Sequence, residues 1–561
     1  MERAWWKEAI GYELYPKSFK DTDGDGVGDL KGIIEKLPYL HQLGVNLLWI
    51  CPFYPSPMCD NGYDVADYYG INPQLGTMEE MDNLLETAKN LGIRVIIDMV
   101  LNHTSSEHAW FQEALKDPSS KYRDFYIFKR SRQCPSNARS CFGGSVWEPV
   151  GDDVWYYHTF DKTQPDLNWE NLELRQEIYQ ILRFWLEKGI SGFRLDAITY
   201  IKKGDSLHMA ETQDGDGLRD VSEIGLNQPG IGKFLHEMRQ ECLAGRDVMT
   251  VAEAPGVPYD QLGEFIGEDG YFSMIFDFSY ADIDLAPGGN WYHQADWSFG
   301  ELKKLIFHSQ LSVQKQGWGA VYLENHDQSR SLNKYFRDKA AKPEDVETRF
   351  FQATALATLL LGLRGTVFLY QGEELGMLNC PFDSADDFND VNTIDQYNRA
   401  RKAGFSDKEA LKFACDRSRD NSRTPFPWNG GEHAGFTGGK PWLKVNPDYP
   451  FNHAQRQIEE PKSIFHYYQK LIALRKNPLY LDTLVYGTIK EIPEEAEGVI
   501  AFERISENGD RIRIFVNMTE EQTEVKTEKG SILCGNYQEQ KWENEAMVLR
   551  PYEAVMVGNP L

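Results

Sequence analysis

The sequence predicts an α/β fold: a (β/α)8 TIM barrel with a small domain inserted after its third strand and an antiparallel β domain at the C-terminal end. Three observations lead there. Short apolar runs rich in β-branched residues alternate with amphipathic stretches at helical spacing, the pattern of βα units around a parallel sheet buried on both faces. One long interval breaks that rhythm. Beyond about residue 479 the alternation gives way to closely spaced strands and turns.

In chain order, residues 11–15, 45–50, 94–100, 192–196, 248–252, 274–278, 320–323 and 366–370 read as strands, the eight that a closed barrel needs. Residues 78–90, 172–188 and 234–243 are helical candidates between them. The breaking interval is rich in Arg, Ser, Cys, Gly and aromatic residues, with only short strand-like pieces such as 155–160. It follows strand 3, on the barrel face where such folds keep their active sites. Near the C-terminal end, runs 499–504 and 511–516 flank Asn508-Gly509, a strong hairpin signal. The expected organisation is barrel over 1–103, inserted domain over 104–170, barrel again over 171–479 and β domain over 480–561.

Composition narrows the function. The 561 residues carry 59 Lys and Arg against 86 Asp and Glu, a formal charge of −27, with 13% aromatic residues. Such aromatic content supplies more burial than a disordered acidic chain has. The negative field repels phosphate, so neither nucleic acid nor an anionic membrane is an expected partner, whereas a neutral ligand meets no barrier. No basic region leads into an apolar run at Met1 to Trp6, and no stretch approaches the ~18 apolar residues of a membrane span. Eight cysteines without a CxxC are too sparse for a disulfide scaffold. The expectation is a cytoplasmic monomer or weak homo-oligomer with reduced thiols.

Side chains at the C-terminal ends of barrel strands converge on one pocket. Asp98 closes the third predicted strand, Asp196 the fourth, Glu253 follows the fifth and Asp327 the seventh. Polar partners accompany them: Asn102 and His103 near Asp98, Arg194 two residues before Asp196, His326 beside Asp327. Residues two apart on a strand share a face, so Arg194 and Asp196 both point inward, and the guanidinium favours the ionised carboxylate. Acids with an Arg and two His in one pocket suit glycosidic bond cleavage, in which one carboxyl donates a proton and another attacks or stabilises an oxocarbenium-like centre.

At these residues the chain resembles glycoside hydrolase family 13, the α-amylase family. The resemblance is carried by Asp98-Met99-Val100-Leu101-Asn102-His103, Gly192-Phe193-Arg194-Leu195-Asp196-Ala197, Thr250-Val251-Ala252-Glu253 and Glu324-Asn325-His326-Asp327. Gln164-Pro165-Asp166-Leu167-Asn168, Tyr15-Pro16-Lys17-Ser18-Phe19 and the run from Ser418 to Pro425 are similar to the oligo-1,6-glucosidase and α-glucosidase branch. The resemblance implies Asp196 as nucleophile, Glu253 as acid/base and Asp327 as the acid that grips the sugar's 2- and 3-hydroxyls. It implies retention through a covalent glycosyl-enzyme, with the Asp196 and Glu253 carboxyls about 5–5.5 Å apart, and no catalytic cofactor. Asp60 would accept from the 4- and 6-hydroxyls of a non-reducing-end glucose, Tyr63 would stack on its ring, and Arg419 would pair with Asp60 to block the pocket beyond one unit. Phe142 and Phe160 would wall the scissile bond; His103, Gln164, Arg194 and His326 complete the expected sugar site. Ala197 tends to accompany α-1,4 or broad activity where valine accompanies α-1,6 preference, because a missing branched side chain leaves room for a differently angled aglycone. Ala138, Ala252 and Phe426-Pro427-Trp428 depart from the usual pattern and leave the aglycone contacts open.

The loop 21–29 places oxygens at positions 1, 3, 5 and 9 with Gly at 6 and a carbonyl at 7, but position 12 is Gly32 rather than Glu. A structural Ca2+ (or Mg2+) held by Asp21, Asp23, Asp25, Asp29 and the Val27 carbonyl is the reading, and the branch implies the same. The expected activity is that of an exo-acting retaining α-glucosidase on short oligosaccharides of maltose or isomaltose type or on sucrose. The alternatives are an oligo-1,6-glucosidase, a trehalose-6-phosphate hydrolase, a sucrose isomerase or transglycosylase, and, more distantly, a non-catalytic barrel used for interaction. Isomerases of the branch carry Arg-Leu-Asp-Arg-Asp before the third acid, whereas residues 274–302 contain neither Arg nor Lys. A phosphosugar hydrolase needs cations near the aglycone, a place that Lys202-Lys203 beyond strand 4 would suit.

Overall fold

The computed structural model describes residues 3–204, 217–286, 289–543 and 546–559. Eight parallel strands form the barrel: β1 (Ile10–Leu14), β2 (Leu47–Ile50), β3 (Arg94–Val100), β4 (Gly192–Asp196), β5 (Met249–Glu253), β6 (Met274–Phe276), β7 (Ala320–Val321) and β8 (Thr366–Tyr370). They lie in the order β6-β5-β4-β3-β2-β1-β8-β7, and β6 adjoins β7 without a ladder, so the barrel is nearly closed. Almost every strand residue is buried, because helices cover the outside and side chains fill the inside, which is why the strands read as continuous apolar runs.

The helices begin at side-chain caps. Thr77 and Glu80 form a capping box on Met78–Asn90, Asn171 caps Leu172–Lys188, and Ser298 with Glu301 caps Phe299–Gln316. The helix expected over 234–243 runs instead over Ile231–Met238 and continues as a π turn. Three strands are shorter than predicted: β2 begins only at Leu47, and β6 and β7 end early. β6 stops where Asp277 accepts from the Ser279 N–H and the Tyr259 hydroxyl, forming a turn, and past β7 the chain turns off where Glu324 accepts from Ser331 and Arg330.

The inserted segment contributes a three-stranded antiparallel sheet of Phe128–Arg130, Val154–Tyr157 and Trp147–Gly151. A further strand, Ala138–Arg139, pairs in parallel with Arg219–Asp220, which follows β4, and the small core of this region takes in Ala197, Tyr200 and Val221. Residues after β4 therefore help build the domain that roofs the pocket. The C-terminal β domain has a five-stranded and a three-stranded sheet, both antiparallel, and Val499–Ile505 pairs with Arg511–Asn517 across the Asn508-Gly509 turn. One hydrophobic cluster runs from the barrel into the five-stranded sheet through Phe502, Ile514 and Met556.

At that junction two buried arginines bind main-chain carbonyls in place of carboxylates. Arg475 donates to the carbonyls of Leu361, Leu363, Leu484 and Gly365, and Arg504 to those of Gly362, Leu484, Val485 and Gly487. Among the described residues no helix is long and apolar enough to cross a membrane. All eight cysteines are free.

Candidate active site

Arg194 is the centre of the pocket floor. Its Nη1 donates to Asp98 Oδ1 at 2.9 Å and to Asp196 Oδ1 at 2.6 Å, and its Nη2 donates to Glu253 Oε2. β3, β4 and β5 are neighbours in register, which brings the three carboxylates to one guanidinium. One positive charge cannot neutralise three negative ones, so the set favours retaining a proton. Burial, followed by repulsion from Asp196 and Asp327, pushes Glu253 up to about 7 against the pull of Arg194. Burial also raises Asp196, to about 6; Arg194 lowers it while Asp98 and Asp327 raise it. Ala197 is left-handed, with φ 43° and ψ 35°, a turn that aims its N–H at Glu253 Oε2, 3.2 Å away.

Asp327 stands opposite. Its Oδ1 accepts from Arg423 at 2.8 Å and Arg419 at 3.2 Å, and its Oδ2 lies 3.0 Å from His326 Nε2. Burial opposes ionisation, yet His326 and the two arginines hold Asp327 well below the usual carboxylate range. The Asp327 and Glu253 side chains are 31% and 20% exposed, against 0% for Asp98, so these two open into the cavity.

The remaining predicted sugar residues gather on one side. Arg419 Nη2 donates to Asp60 Oδ1 at 2.9 Å, and Gln164 Nε2 donates to Asp60 Oδ2 at 3.0 Å and lies 3.1 Å from His103 Nε2. Phe142 lies under the Arg419 guanidinium at 4.7 Å and beside Phe160 at 5.4 Å, and Phe160 in turn meets His103 at 5.2 Å. Tyr63 is 4% exposed; it stacks on His326 at 5.1 Å and donates to Asp98 Oδ2 at 2.8 Å.

Comparison with known proteins bears on what this arrangement is. Residues 13–487 match the family model of the α-amylase catalytic domain. The chain is 40% identical to the oligo-1,6-glucosidase of Parageobacillus thermoglucosidasius, with 99% of each covered. It superposes on the isomaltulose synthase of Erwinia rhapontici NX5 in complex with D-glucose with a TM-score of 0.92, at 36% identity and 100% coverage of both chains. It superposes on the trehalose-6-phosphate hydrolase of Bacillus licheniformis with a TM-score of 0.89, at 37% identity, covering 99% of this chain and 100% of that one. The chain belongs to the α-amylase family. It is a glycoside hydrolase, and the family needs no catalytic cofactor.

Three residues of this α-amylase-family pocket escaped the sequence reading as site residues. Glu13 of β1 contacts His326, Asp390 holds Arg419 through Nε at 2.9 Å and Nη2 at 2.7 Å, and Arg423 binds Asp327. An acid inside the apolar run of β1 was the available signal for Glu13; Asp390 lies in a loop with none. Lys202 and Lys203 are both engaged. Lys202 pairs with Glu170, while Lys203 is half-buried, 2.5 Å from Asp166 Oδ2, and donates to Asn102 Oδ1 at 2.7 Å.

In the loop 21–29 the carboxylates of Asp21, Asp23 and Asp25 converge within 4.8 Å. Asp29 is directed elsewhere: it accepts from the Thr22 and Gly32 N–H groups, both at 2.7 Å, and caps helix Leu30–Leu43. The Val27 N–H donates to Asp25 Oδ1 at 2.8 Å.

Proposed function

We propose that this enzyme is an exo-acting retaining α-glucosidase that releases glucose from the non-reducing end of short α-glucosides. The observation that carries the reading is the Asp60–Arg419 pair, braced by Gln164 and Asp390 and backed by Phe142, a pair we take to close the pocket beyond a single sugar. Asp196 attacks the anomeric carbon and the protonated Glu253 gives its proton to the leaving oxygen; Glu253 as carboxylate then activates water to release glucose. Asp327 grips the sugar hydroxyls as charge develops in the ring. Ala197 leaves the aglycone side open to more than one linkage, in keeping with relatives named for α-1,6 substrates and for isomaltulose synthesis.

The trehalose-6-phosphate alternative is disfavoured because Lys202 and Lys203 already have carboxylate partners. Turnover of maltose, isomaltose, sucrose and trehalose 6-phosphate tests the reading. Glucose of retained α-configuration from the first three is expected, and preference for the phosphorylated sugar or cleavage of internal bonds in a long glucan would overturn it. We further place the protein in the cytoplasm, in keeping with eight free cysteines. We also propose that Asp21, Asp23 and Asp25, whose carboxylates converge, hold Ca2+ or Mg2+ as a structural ion, with the Val27 carbonyl as a further donor.

A further inference from the structure

Glu13 is a buried acid for which the reaction as described has no use. It stands at the inward face of β1, 1% exposed. Its Oε1 lies 2.5 Å from His326 Nδ1, accepts the His326 main-chain N–H at 3.2 Å and receives the Cys51 thiol at 3.6 Å. Across the ring, Nε2 is 3.0 Å from Asp327 Oδ2. A neutral imidazole has one donor and one acceptor nitrogen, so a ring with a carboxylate at each nitrogen is satisfied only when both carry protons. Tyr63 and Tyr15 lie on either side of it, with centroids 5.1 and 6.2 Å away and planes within 16°, and Trp49 meets it edge-on. Aromatic faces in that position favour a cation. The other charged groups nearby are Asp98, hydrogen-bonded to Tyr63, and Arg423, whose Nε donates to the His326 carbonyl.

We propose that Glu13 is a positioning residue that holds His326 as a doubly protonated imidazolium, so that its Nε2 side presents a permanent positive charge to Asp327, 3.0 Å away. Asp327 also accepts from Arg419 and Arg423, whereas among the described residues Glu13 has no arginine partner and its ion pair is with His326 alone. Glu13 gives the ring a carboxylate of its own and fixes it by accepting from both its Nδ1 and its main-chain N–H. Asp327 is then held in one orientation and kept ionised for the sugar hydroxyls, a role that rests on the glucosidase reading above. Glu13, Cys51 and His326 also converge closely enough to resemble a metal-ligand set. The 2.5 Å contact is that of a hydrogen bond, however, whereas donors around a tetrahedral ion stand about 3 Å or more apart.

The test has two readouts. In wild-type protein labelled with 15N-histidine, assigned by H326Q, both ring nitrogens of His326 should be protonated at about pH 8, well above the ordinary imidazole value of ~6.5. A neutral ring at that pH overturns the proposal. The isosteric E13Q keeps a hydrogen-bond acceptor but removes the charge. Its kcat on a chromogenic α-glucoside should fall by about tenfold, the worth of one charge-assisted hydrogen bond, and the deficit should deepen as pH rises. An unchanged kcat, or a deficit independent of pH, overturns the proposal as well. The nitrogen signals are read on the wild-type chain and decide independently of how the variant folds. Absence of α-glucosidase activity in the wild type would defeat the substrate reading and leave the nitrogen result standing.

Discussion

Glu253 and Asp196 sit within hydrogen-bonding reach of one guanidinium, yet the proposed reaction needs the first protonated and the second ionised. With Asp196 raised to about 6 and Glu253 to about 7, kcat/KM should trace a narrow bell, falling on the acid side as Asp196 takes up its proton and on the alkaline side as Glu253 loses its own. D196N should remove nearly all turnover, and E253Q should cost about 10²–10⁴-fold on natural glucosides. Stability should move the other way. An acid whose folded-state pKa lies above its unfolded value destabilises the fold progressively as pH rises through that window, so E253Q should melt higher than wild type at about pH 8 and lose the advantage towards about pH 5. Thermal melts at the two pH values check this. Asp196, Glu253 and Asp327 are legible in the sequence because each ends or follows an apolar run where a charge has no packing reason to be. Glu13 is harder to see. In a single strand an acid beside Tyr12 and Leu14 reads as solvent-facing, and only closure of the barrel turns that face inward.

Among the elements, β4 and β5 carry the proposed nucleophile and acid/base, and their spacing depends on Gly192. Its φ is +148°, and a Cβ there would lie 1.8 Å from the Met249 carbonyl of β5. G192A should therefore force the strands apart, lower stability and cost about 10²-fold in kcat/KM, the consequence of misplacing catalytic groups by about 1 Å; activity within twofold of wild type would show that the strands tolerate the shift. The loop 21–29, proposed to hold a structural ion, is a second such element. Chelation should lower the melting temperature while the excess of a divalent cation restores it, and an unchanged melt would exclude a structural ion there. Strand and helix limits were legible wherever the apolar pattern alone defines the element: β3, β4, β8, Met78–Asn90 and Leu172–Lys188 have the bounds their patterns predict. They were not legible where a side chain ends the ladder, as Asp277 does after β6.

Over the whole molecule, the barrel's hydrophobic cluster continues into the C-terminal β domain, which also has a smaller cluster of its own around Phe515, Val525 and Met547, and the two parts are joined at Arg475 and Arg504, whose donors satisfy carbonyls at the end of helix Val346–Gly362 and in the linking segment. R504K keeps the charge but loses the planar fork, and three ammonium donors cannot serve four carbonyls in the same geometry. The variant should be destabilised by about 2 kcal/mol or more while still unfolding in a single transition, because one hydrophobic cluster spans the barrel and one face of the five-stranded sheet. Denaturant titration followed by fluorescence and by circular dichroism checks both claims; two separated transitions would mean that the barrel stands alone. The pairing itself was invisible in the sequence, where both arginines look like the cationic residues of ordinary surface elements. The charge of −27 is spread differently from the site: Asp60, Asp98, Asp196, Asp327 and Asp390 are all held by arginines at the pocket.

Because Arg194 binds three acids at once, the affinity of each for a proton depends on whether its neighbours are charged. Converting Asp196 into a neutral glycosyl ester removes one anion from the surroundings of Glu253, and Arg194 then favours the Glu253 carboxylate. The residue that opened the cycle as an acid becomes a base just when water must be activated, and hydrolysis of the ester restores both the anion and the proton. The two half-reactions are thus timed by charge alone, with no need for any part of the backbone to move.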